Sequence, residues 1–282
     1  FASAPDYETK SSYSATVTAS DGTNATTQDI IVSVNNVSDN APSFTSSSSF
    51  TADENQTAIG TVTATDDDDD TITFSISGSE VSIDGSTGVL TFASAPDYET
   101  KTSYSATVTA SDGTNSATQA ITISINNLND NAPSFTSNSS FDADENQTAI
   151  GTVTAIDADG DTLTFSISGS EININSSTGV LTFASAPDYE TKSSYSVTVT
   201  ASDGTNATTQ DISIAINDIN ESPSITSSAS FTADENQTSI GTVTVTDAEG
   251  DGVTFIISGS EIAINSSTGV LTFVSAPDYE TK

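Results

Sequence analysis

The chain has 282 residues, of which 39 are acidic and 4 are basic, so its formal net charge at pH 7 is −35. It contains no histidine, cysteine, methionine or tryptophan. These counts exclude zinc and haem sites and any catalysis that needs histidine or a thiol. They also exclude nucleic acid and anionic membrane surfaces as partners, because both require clustered basic residues.

The chain also lacks the signals of a membrane protein. No apolar run is long enough to span a bilayer, and no signal peptide opens the sequence, so we expect a mature or internal segment without membrane insertion. The absence of cysteine agrees with a secreted protein that something other than disulfides stabilises.

Apolar residues alternate with serine and threonine along much of the chain. Between residues 104 and 110, tyrosine, alanine and valine occupy every second position, and residues 71–76 and 120–125 follow the same pattern. Alternation with a period of two, rich in β-branched residues, predicts half-buried antiparallel strands. No segment shows a sustained helical period, so the predicted fold class is all-β.

A ten-residue motif sets the organisation of the chain. Phe-Ala-Ser-Ala-Pro-Asp-Tyr-Glu-Thr-Lys begins at residues 1, 92 and 183 and returns at residue 273 with one substitution. The motifs Asp-Glu-Asn, Ala-Ser-Asp-Gly and Ser-Thr-Gly-Val-Leu-Thr recur with the same period. A fixed period indicates an array of equivalent units, and about 90 residues are enough for one small sandwich core per unit.

The boundary between units is predicted at the Asn-Ala-Pro-Ser-Phe stretch, because a strand does not easily continue through proline. Residues 41–131 and 132–222 are then complete units, while residues 1–40 are the C-terminal part of an earlier unit and residues 223–282 the N-terminal part of a later one. The chain therefore looks like a slice of a longer array. Turn motifs in the first complete unit separate seven predicted strands, at residues 44–51, 60–65, 71–77, 81–83, 89–92, 104–110 and 120–126.

Acidic residues recur in pairs at fixed places in each unit. Asp97 and Glu99 lie two residues apart, so their side chains point the same way in an extended segment. Two carboxylates at about 4 Å repel each other by on the order of 1 kcal/mol even in water, whereas calcium takes six to eight oxygen ligands and reverses the sign. We therefore predict Ca²⁺ as the cofactor. The same spacing recurs after a predicted strand at Asp66 and Asp68, at Asp157 and Asp159, and at Asp247 and Glu249.

The ordered set of motifs resembles the cadherin repeat. Asp-Glu-Asn, Asp-Tyr-Glu, Ala-Ser-Asp-Gly, Asp-x-Asp and a linker ending in Asp-Asn-Ala-Pro-Ser-Phe occur in a fixed order that covers the whole chain. More narrowly, the chain is similar to the tandem cadherin-like domains of large bacterial surface proteins. The resemblance implies tandem seven-strand Greek-key β-sandwiches arranged as a rod, with calcium bound between successive domains.

The resemblance also assigns ligands to three junctions. The central junction would use Glu54, Asp97, Glu99, Asn127, Asn129, Asp130, Asn131, Asp157, Asp159 and Asp203. The preceding junction would use Asp6, Glu8, Asp39, Asn40, Asp66, Asp68 and Asp112. The following junction would use Glu145, Asp188, Glu190, Asp218, Asn220, Glu221, Asp247 and Glu249. Seven of the central ligands are acidic, which would match the charge of about three calcium ions.

Some acidic residues leave the ligand set open. Within the run of five aspartates, Asp69 and Asp70 fit a solvated loop as well as they fit a metal site, and Asp161 is a weaker ligand candidate. The linkers depart from the family pattern Asp-x-Asn-Asp-Asn-Ala-Pro, for example at Ser38 and Glu221, so we expect ion count and affinity to differ between junctions.

The resemblance implies a calcium-rigidified extracellular spacer in a long repeat adhesin or cell-surface fibre. Its partners would be calcium, neighbouring repeats of the same long chain and other copies in a fibre. An enzyme is not expected, because a catalytic carboxylate pair would not be repeated identically in every unit. Two alternatives remain open. One is an adhesive module that binds a glycan, ice or its own kind through a threonine-rich face, and the other is a filament subunit in which residues 1–40 of one copy complete residues 223–282 of the next.

Overall fold

The computed structural model describes residues 1–280, and this range contains strands, turns and bends but no helix. The all-β prediction is therefore confirmed. The described residues include no helix that is long and apolar enough to cross a membrane. The chain divides into two compact units, residues 1–130 and residues 131–282, which are described separately. The last two residues of the predicted unit 223–282 lie outside the described range.

The first unit begins with a hairpin of two strands and continues with nine further strands. The hairpin consists of β1 (Ser12–Ser20) and β2 (Ala25–Ser33). The nine strands are β3 (Ser43–Phe44), β4 (Ser49–Asp53), β5 (Ala58–Thr61), β6 (Ala64–Thr65), β7 (Thr73–Ile76), β8 (Val81–Ile83), β9 (Val89–Phe92), β10 (Ser103–Ser111) and β11 (Ser116–Asn126).

The second unit repeats the nine-strand set and adds part of another. The complete set is β12 (Ser134–Phe135), β13 (Ser140–Asp144), β14 (Ala149–Thr152), β15 (Ala155–Ile156), β16 (Thr164–Ile167), β17 (Ile172–Ile174), β18 (Val180–Phe183), β19 (Ser194–Ser202) and β20 (Ala207–Asn217). The partial set is β21 (Ser224–Ile225), β22 (Ser239–Thr242), β23 (Val245–Thr246), β24 (Ile262–Ile264) and β25 (Val270–Phe273).

Two sheets share one core in each complete set. In the first, a four-stranded sheet in the order β4-β11-β10-β7 and a three-stranded sheet in the order β5-β9-β8 are joined by the short pair β3-β6. Leu90 of β9 and Ile123 of β11 are both fully buried in the same apolar cluster, so side chains of the two sheets meet. Leu181 and Ile214 meet in the same way in the second complete set. The β-sandwich prediction is confirmed.

The first two predicted strands each form two short segments. The predicted strand 44–51 divides into β3 and β4, and the predicted strand 60–65 divides into β5 and β6. The division arises because consecutive segments pair with different partners, β3 with β6 but β4 with β11. The β4–β11 ladder is parallel, whereas the alternation had predicted antiparallel strands.

The two partial strand sets present apolar residues that the complete sets bury. Val17 and Ile30 of the β1–β2 hairpin are 50% and 39% exposed, whereas Val108 and Ile121, one period later, are buried. Residues 254–257 correspond in position to β16 but form no strand.

Candidate metal centres

In the run of five aspartates between β6 and β7, exposed side chains alternate with side chains that are partly or fully buried. Asp67 and Asp69 are exposed, while Asp66, Asp68 and Asp70 place carboxylate oxygens within 4.8 Å of one another. Asp66 Oδ1 accepts hydrogen bonds from the backbone N of Asp68 at 3.0 Å and of Asp70 at 3.4 Å. Its other oxygen, Oδ2, is buried and has no hydrogen-bond partner. Asp70, which the sequence left open, thus joins the predicted pair.

The linker after β2 closes over Asp68, which is only 4% exposed. The backbone N–H groups of Asp39 and Asn40 donate to Asp68 Oδ2 at 3.0 and 2.8 Å, and the Asn40 side-chain amide donates to Oδ1 at 3.1 Å. The backbone donor of Asn40 is the main cause that lowers the pKa of Asp68. Carboxylate oxygens of Glu8 and Asp39 lie within 4.8 Å of a carboxylate oxygen of Asp68. Three ligands predicted for the preceding junction therefore converge.

Asp112 lies in the Asp-Gly-Thr-Asn turn that follows β10. Its Oδ1 accepts hydrogen bonds from the backbone N of Thr114 at 2.6 Å and of Asn115 at 2.5 Å. Burial opposes ionisation here, but the backbone donors outweigh it and lower the pKa of Asp112. The Asn115 side-chain amide donates to the carbonyl oxygen of Asn40 at 3.2 Å, so it ties this turn to the linker. The sequence indicated Asn115 only as a turn residue, although its recurrence as Asn206 was a signal.

Glu54 follows β4 directly and is 2% exposed. Its Oε1 accepts a hydrogen bond from the backbone N of Leu128 at 2.7 Å, and its Oε2 accepts one from Tyr98 at 2.8 Å. Carboxylate oxygens of Glu99 and Asp130 lie within 4.8 Å of it. Glu54 therefore joins the Asp-Tyr-Glu turn to the linker, and three ligands predicted for the central junction come together in the first unit.

Glu145 reproduces this arrangement in the second unit and is 3% exposed. Its Oε1 accepts from the backbone N of Ile219 at 2.7 Å, and its Oε2 accepts from Tyr189 at 2.8 Å. Glu190 and Asp218 complete a group of carboxylates with oxygens within 4.8 Å. The backbone N–H of Glu190 lowers the pKa of its own carboxyl group. Burial and repulsion from Glu145 and Asp218 outweigh this effect, so the pKa of Glu190 is raised.

The loop after β15 reproduces the arrangement around Asp66. Asp157 Oδ1 accepts hydrogen bonds from the backbone N of Asp159 at 3.0 Å and of Asp161 at 3.3 Å, and Asp157 Oδ2 is buried without a hydrogen-bond partner. The three aspartates again place carboxylate oxygens within 4.8 Å of one another. Asn131 donates from its backbone N and from its side chain to the Asp159 carboxylate, both at 2.9 Å. Asp161 therefore belongs to the group.

Asp203 reproduces the turn of Asp112 one period later. Its Oδ1 accepts hydrogen bonds from the backbone N of Thr205 and Asn206, both at 2.6 Å. The Asn206 side-chain amide donates to the carbonyl oxygen of Asn131 at 3.3 Å. The asparagine of this turn thus holds the linker in both units.

The third linker differs because Glu221 occupies the place of aspartate. Contact with the Glu249 carboxyl raises the pKa of Glu221 to about 7 and lowers the pKa of Glu249. The side chain of Asn220 donates to Asp251 Oδ2 at 2.9 Å, and the backbone N of Asp251 donates to Asp247 Oδ1 at 2.9 Å. The sequence had not indicated Asp251, which corresponds in position to Asp161.

The Glu221–Glu249 contact predicts a pH dependence of the metal-free chain. The pKa of Glu221 is higher in the folded state, so the folded state holds a proton that is lost as the pH rises through about 7. In excess chelator, we expect the melting temperature of the parent chain to fall as the pH is raised from 5 to 8, whereas Glu221→Gln lacks this titration. At pH 8 the variant should therefore melt a few degrees higher than the parent chain. At pH 5 the two chains should melt together, because glutamine resembles protonated glutamate. A constant difference at all pH values, measured by calorimetry, would contradict the shared proton.

Three predicted ligands accept hydrogen bonds within their own turns. In the first three Asp-Tyr-Glu-Thr motifs, the aspartate accepts from the backbone N of the threonine three residues later, at 3.2 Å for Asp6, 3.2 Å for Asp97 and 3.0 Å for Asp188. Asn127 and Asn129 follow β11, and each has an interaction partner. A ligand role for these five residues stays a prediction.

The carboxylate groups suit a hard cation. Among the described residues, Lys101 pairs with Glu80 and Lys192 pairs with Glu171, and neither glutamate is among the carboxylates of the groups described above. Buried carboxylates beside like charges, with unpartnered oxygens on Asp66 and Asp157, are unfavourable unless a cation neutralises them. The groups offer carboxylate oxygens, which are the ligands that hard cations such as calcium prefer. The residues present therefore fit Ca²⁺.

Adjacent aspartates provide a matched test of this fit. We expect Asp66→Asn to weaken calcium binding about tenfold or more, because it removes a charge and an unpartnered oxygen from the group. Asp67→Asn makes the same chemical change on an exposed neighbour and should leave affinity within a factor of about two. Calorimetric titration of the 282-residue chain with Ca²⁺ measures both. Equal effects of the two variants would mean that the alternation of the run does not select ligands.

The profile described as "Cadherin: Cadherin domain" matches residues 48–126 and 139–217, which is more than half of the chain. These two matches contain most of the two complete strand sets. The chain therefore belongs to the cadherin family. Cadherin domains are extracellular modules for adhesion or spacing, and they are not enzymes.

The relatives are much longer proteins. Cadherin EGF LAG seven-pass G-type receptor 2 of Mus musculus is 27% identical over 314 residues, an alignment that takes in 98% of this chain and 11% of the receptor. Protocadherin Fat 4 of Mus musculus is 30% identical over 142 residues, covering 45% of this chain and 3% of that protein. The chain thus spans about a tenth or less of these relatives.

Solved cadherin structures share the fold. The Protocadherin GammaB4 extracellular domain superimposes with a TM-score of 0.65 at 25% identity, covering 99% of this chain and 51% of that one. Mouse Cadherin-23 EC22-24 superimposes with a TM-score of 0.60 at 23% identity, covering 86% of this chain and 90% of that one.

Proposed function

We propose that this chain is a calcium-stiffened spacer segment of a long extracellular adhesin or surface fibre. One observation in the first unit carries the proposal. Glu8 from the end of one repeat, Asp39 from the linker and Asp68 from the next repeat place carboxylate oxygens within 4.8 Å of one another. A cation bound by all three would hold two consecutive repeats and their linker together. The partners would be the neighbouring repeats of the same chain and, in a fibre, other copies.

At such a junction, some residues would bind the cation and others would orient the residues that bind it. Calcium supplies the positive charge that a carboxylate group needs, and it accepts many oxygen ligands. Glu8, Asp39 and Asp68 would hold it, while the backbone N–H groups of Asn40 and Asp39 fix the orientation of the Asp68 carboxylate. Without the cation the same carboxylates repel, by about 1 kcal/mol for a pair in water. Repulsion between these carboxylates then favours separation of the two repeats and bending at the linker.

We expect removal of calcium to soften and destabilise the chain. At a free calcium concentration of one hundred times Kd, each site adds about 2.7 kcal/mol to the folded state, which corresponds to more than about 10 °C in the melting temperature of a domain of this size. Small-angle scattering and calorimetry of the 282-residue chain, in calcium and in excess chelator, measure both effects. Magnesium at the same concentration controls for ionic strength. Identical scattering and melting in calcium and chelator would refute the spacer mechanism.

An adhesive module remains the alternative prediction. Some hydroxyl groups of the threonine-rich faces bond within the chain, since Thr45 and Thr63 bond to each other at 2.8 Å, as do Thr136 and Thr154. Saturable binding of the calcium-loaded chain to a glycan surface or to ice would favour that alternative. The bacterial origin also stays a prediction.

A further inference from the structure

The asparagine that follows each buried glutamate has an unusual backbone conformation. Asn55, Asn146 and Asn236 have φ angles of 61°, 60° and 64°, in the left-handed region that few residues other than glycine and asparagine adopt. The backbone N of each donates to the carbonyl oxygen of the proline in the Ala-Pro-Asp-Tyr-Glu turn, at 2.9 Å in all three. This conformation directs the asparagine away from the β-strand that precedes it.

Two of these asparagines contact the acidic residue of the following linker. The Asn55 side-chain amide donates to Asp130 Oδ2, and the Asn146 side-chain amide donates to Glu221 Oε1. The contact survives the replacement of aspartate by the longer glutamate, although the two linkers differ in sequence. The same contact therefore occurs once in each of the two compact units.

We propose that Asn55 and Asn146 are positioning residues that hold the linker carboxylate in place for the cation. The proposal rests on the proposed function. Asp130 lies in one carboxylate group with Glu54 and Glu99, so like charges push it outwards when no cation is bound. A neutral amide donor holds it without adding charge. The ordering of the linker carboxylate is then complete before the cation arrives, which improves affinity by reducing the cost of binding.

The backbone conformation of these asparagines allows an experiment to distinguish an effect on calcium binding from an effect on folding stability. Glycine adopts positive φ without strain, so Asn→Gly removes the amide and leaves the backbone unstrained. We expect Asn146→Gly and Asn55→Gly to weaken calcium binding at their junctions about tenfold, as changes to partners of metal ligands typically do. In excess chelator, we expect each variant to melt within a few degrees of the parent chain, because a single exposed hydrogen bond contributes only about 0.5–1.5 kcal/mol. A residue with only a structural role would show the reverse pattern.

Asn236→Gly is the matched control. Asn236 has the same φ and the same contact with the turn proline, but the position 75 residues further on, where Asn55 and Asn146 find their acidic partners, lies outside the 282-residue chain. We expect this variant to bind calcium as the parent chain does. Titration calorimetry with Ca²⁺ and thermal melts in chelator, on the full chain and its three variants, make the comparison.

The outcomes separate this proposal from the function on which it rests. If the parent chain binds no calcium, the proposed function itself fails. If the parent binds calcium and Asn55→Gly and Asn146→Gly bind it with unchanged affinity, only the positioning role is overturned. The same conclusion follows if all three variants lose affinity equally, or if affinity falls only in a variant whose melting temperature in chelator drops by much more than a few degrees.

Discussion

Replacing Glu145 by alanine should destabilise the second unit by about 2–6 kcal/mol in excess chelator. Its two carboxylate oxygens accept hydrogen bonds from the backbone N–H groups of Tyr189 and Ile219, and the residue is 3% exposed. Alanine leaves both donors without a protein acceptor, and a buried polar group that loses its partner costs about 1–3 kcal/mol. Chelator removes the contribution of bound calcium, so denaturant unfolding reports the two lost hydrogen bonds, less the repulsion from Glu190 and Asp218 that alanine relieves.

Glu171→Ala is the control for this experiment. Glu171 is an exposed glutamate that pairs with Lys192, and surface pairs of this kind contribute about 0–1 kcal/mol. Glu145→Gln should fall between the two alanine variants, because the amide retains one acceptor oxygen. If Glu145→Ala and Glu171→Ala unfold at the same denaturant concentration, the buried glutamate does not hold the turn and the linker together.

Replacing Gly179 by alanine should cost about 2–5 kcal/mol. Gly179 has a φ of 69°, and a Cβ atom there would lie 2.1 Å from the carbonyl oxygen of Val153. The left-handed conformation costs about 1–2 kcal/mol for a residue with a Cβ, and forced overpacking costs about 1–3 kcal/mol more. The backbone N of Val153 also donates to the Gly179 carbonyl oxygen at 2.9 Å, so any shift to relieve the clash strains this hydrogen bond.

Gly204→Ala separates the two causes. Gly204 has a φ of 99°, but nothing lies within 4 Å of the position of an added Cβ. We therefore expect this variant to lose only the conformational part, about 1–2 kcal/mol. Thermal unfolding of both variants, with calcium present, gives the comparison. Equal losses would show that the close approach to Val153 relaxes without cost.

Much of the fold was predictable because alternation and period are local properties. The alternation of residues 104–110 and 120–126 predicted the two long strands that became β10 and β11. The partner of a strand is not a local property. Nothing in residues 49–53 distinguishes a strand that pairs in parallel with β11 from one that continues from β3.

The sequence predicted which acidic residues belong to the candidate site, but not the hydrogen bonds that hold them in place. Period-two spacing selected Asp66 and Asp68 from the aspartate run, and the structure places them in one group. The contacts of Asn55 and Asn115 with the linkers join residues 75 positions apart, at Asp130 and Asn40 respectively. Such contacts depend on the folded path of the chain, so the motifs indicated the turns but not their hydrogen-bond partners.

The parallel ladder between β4 and β11 has a mechanical consequence. β4 is near the beginning of its strand set and β11 ends it, and Ser49–Asp53 lie beside residues 122–126 in register. Tension applied to the two ends of this set pulls the neighbouring strands lengthwise in opposite directions. The hydrogen bonds of the ladder are then loaded together in shear rather than opened one after another. The chain between the two strands should carry little force until that ladder slides, so we expect the core of this strand set to resist a pull along the polypeptide.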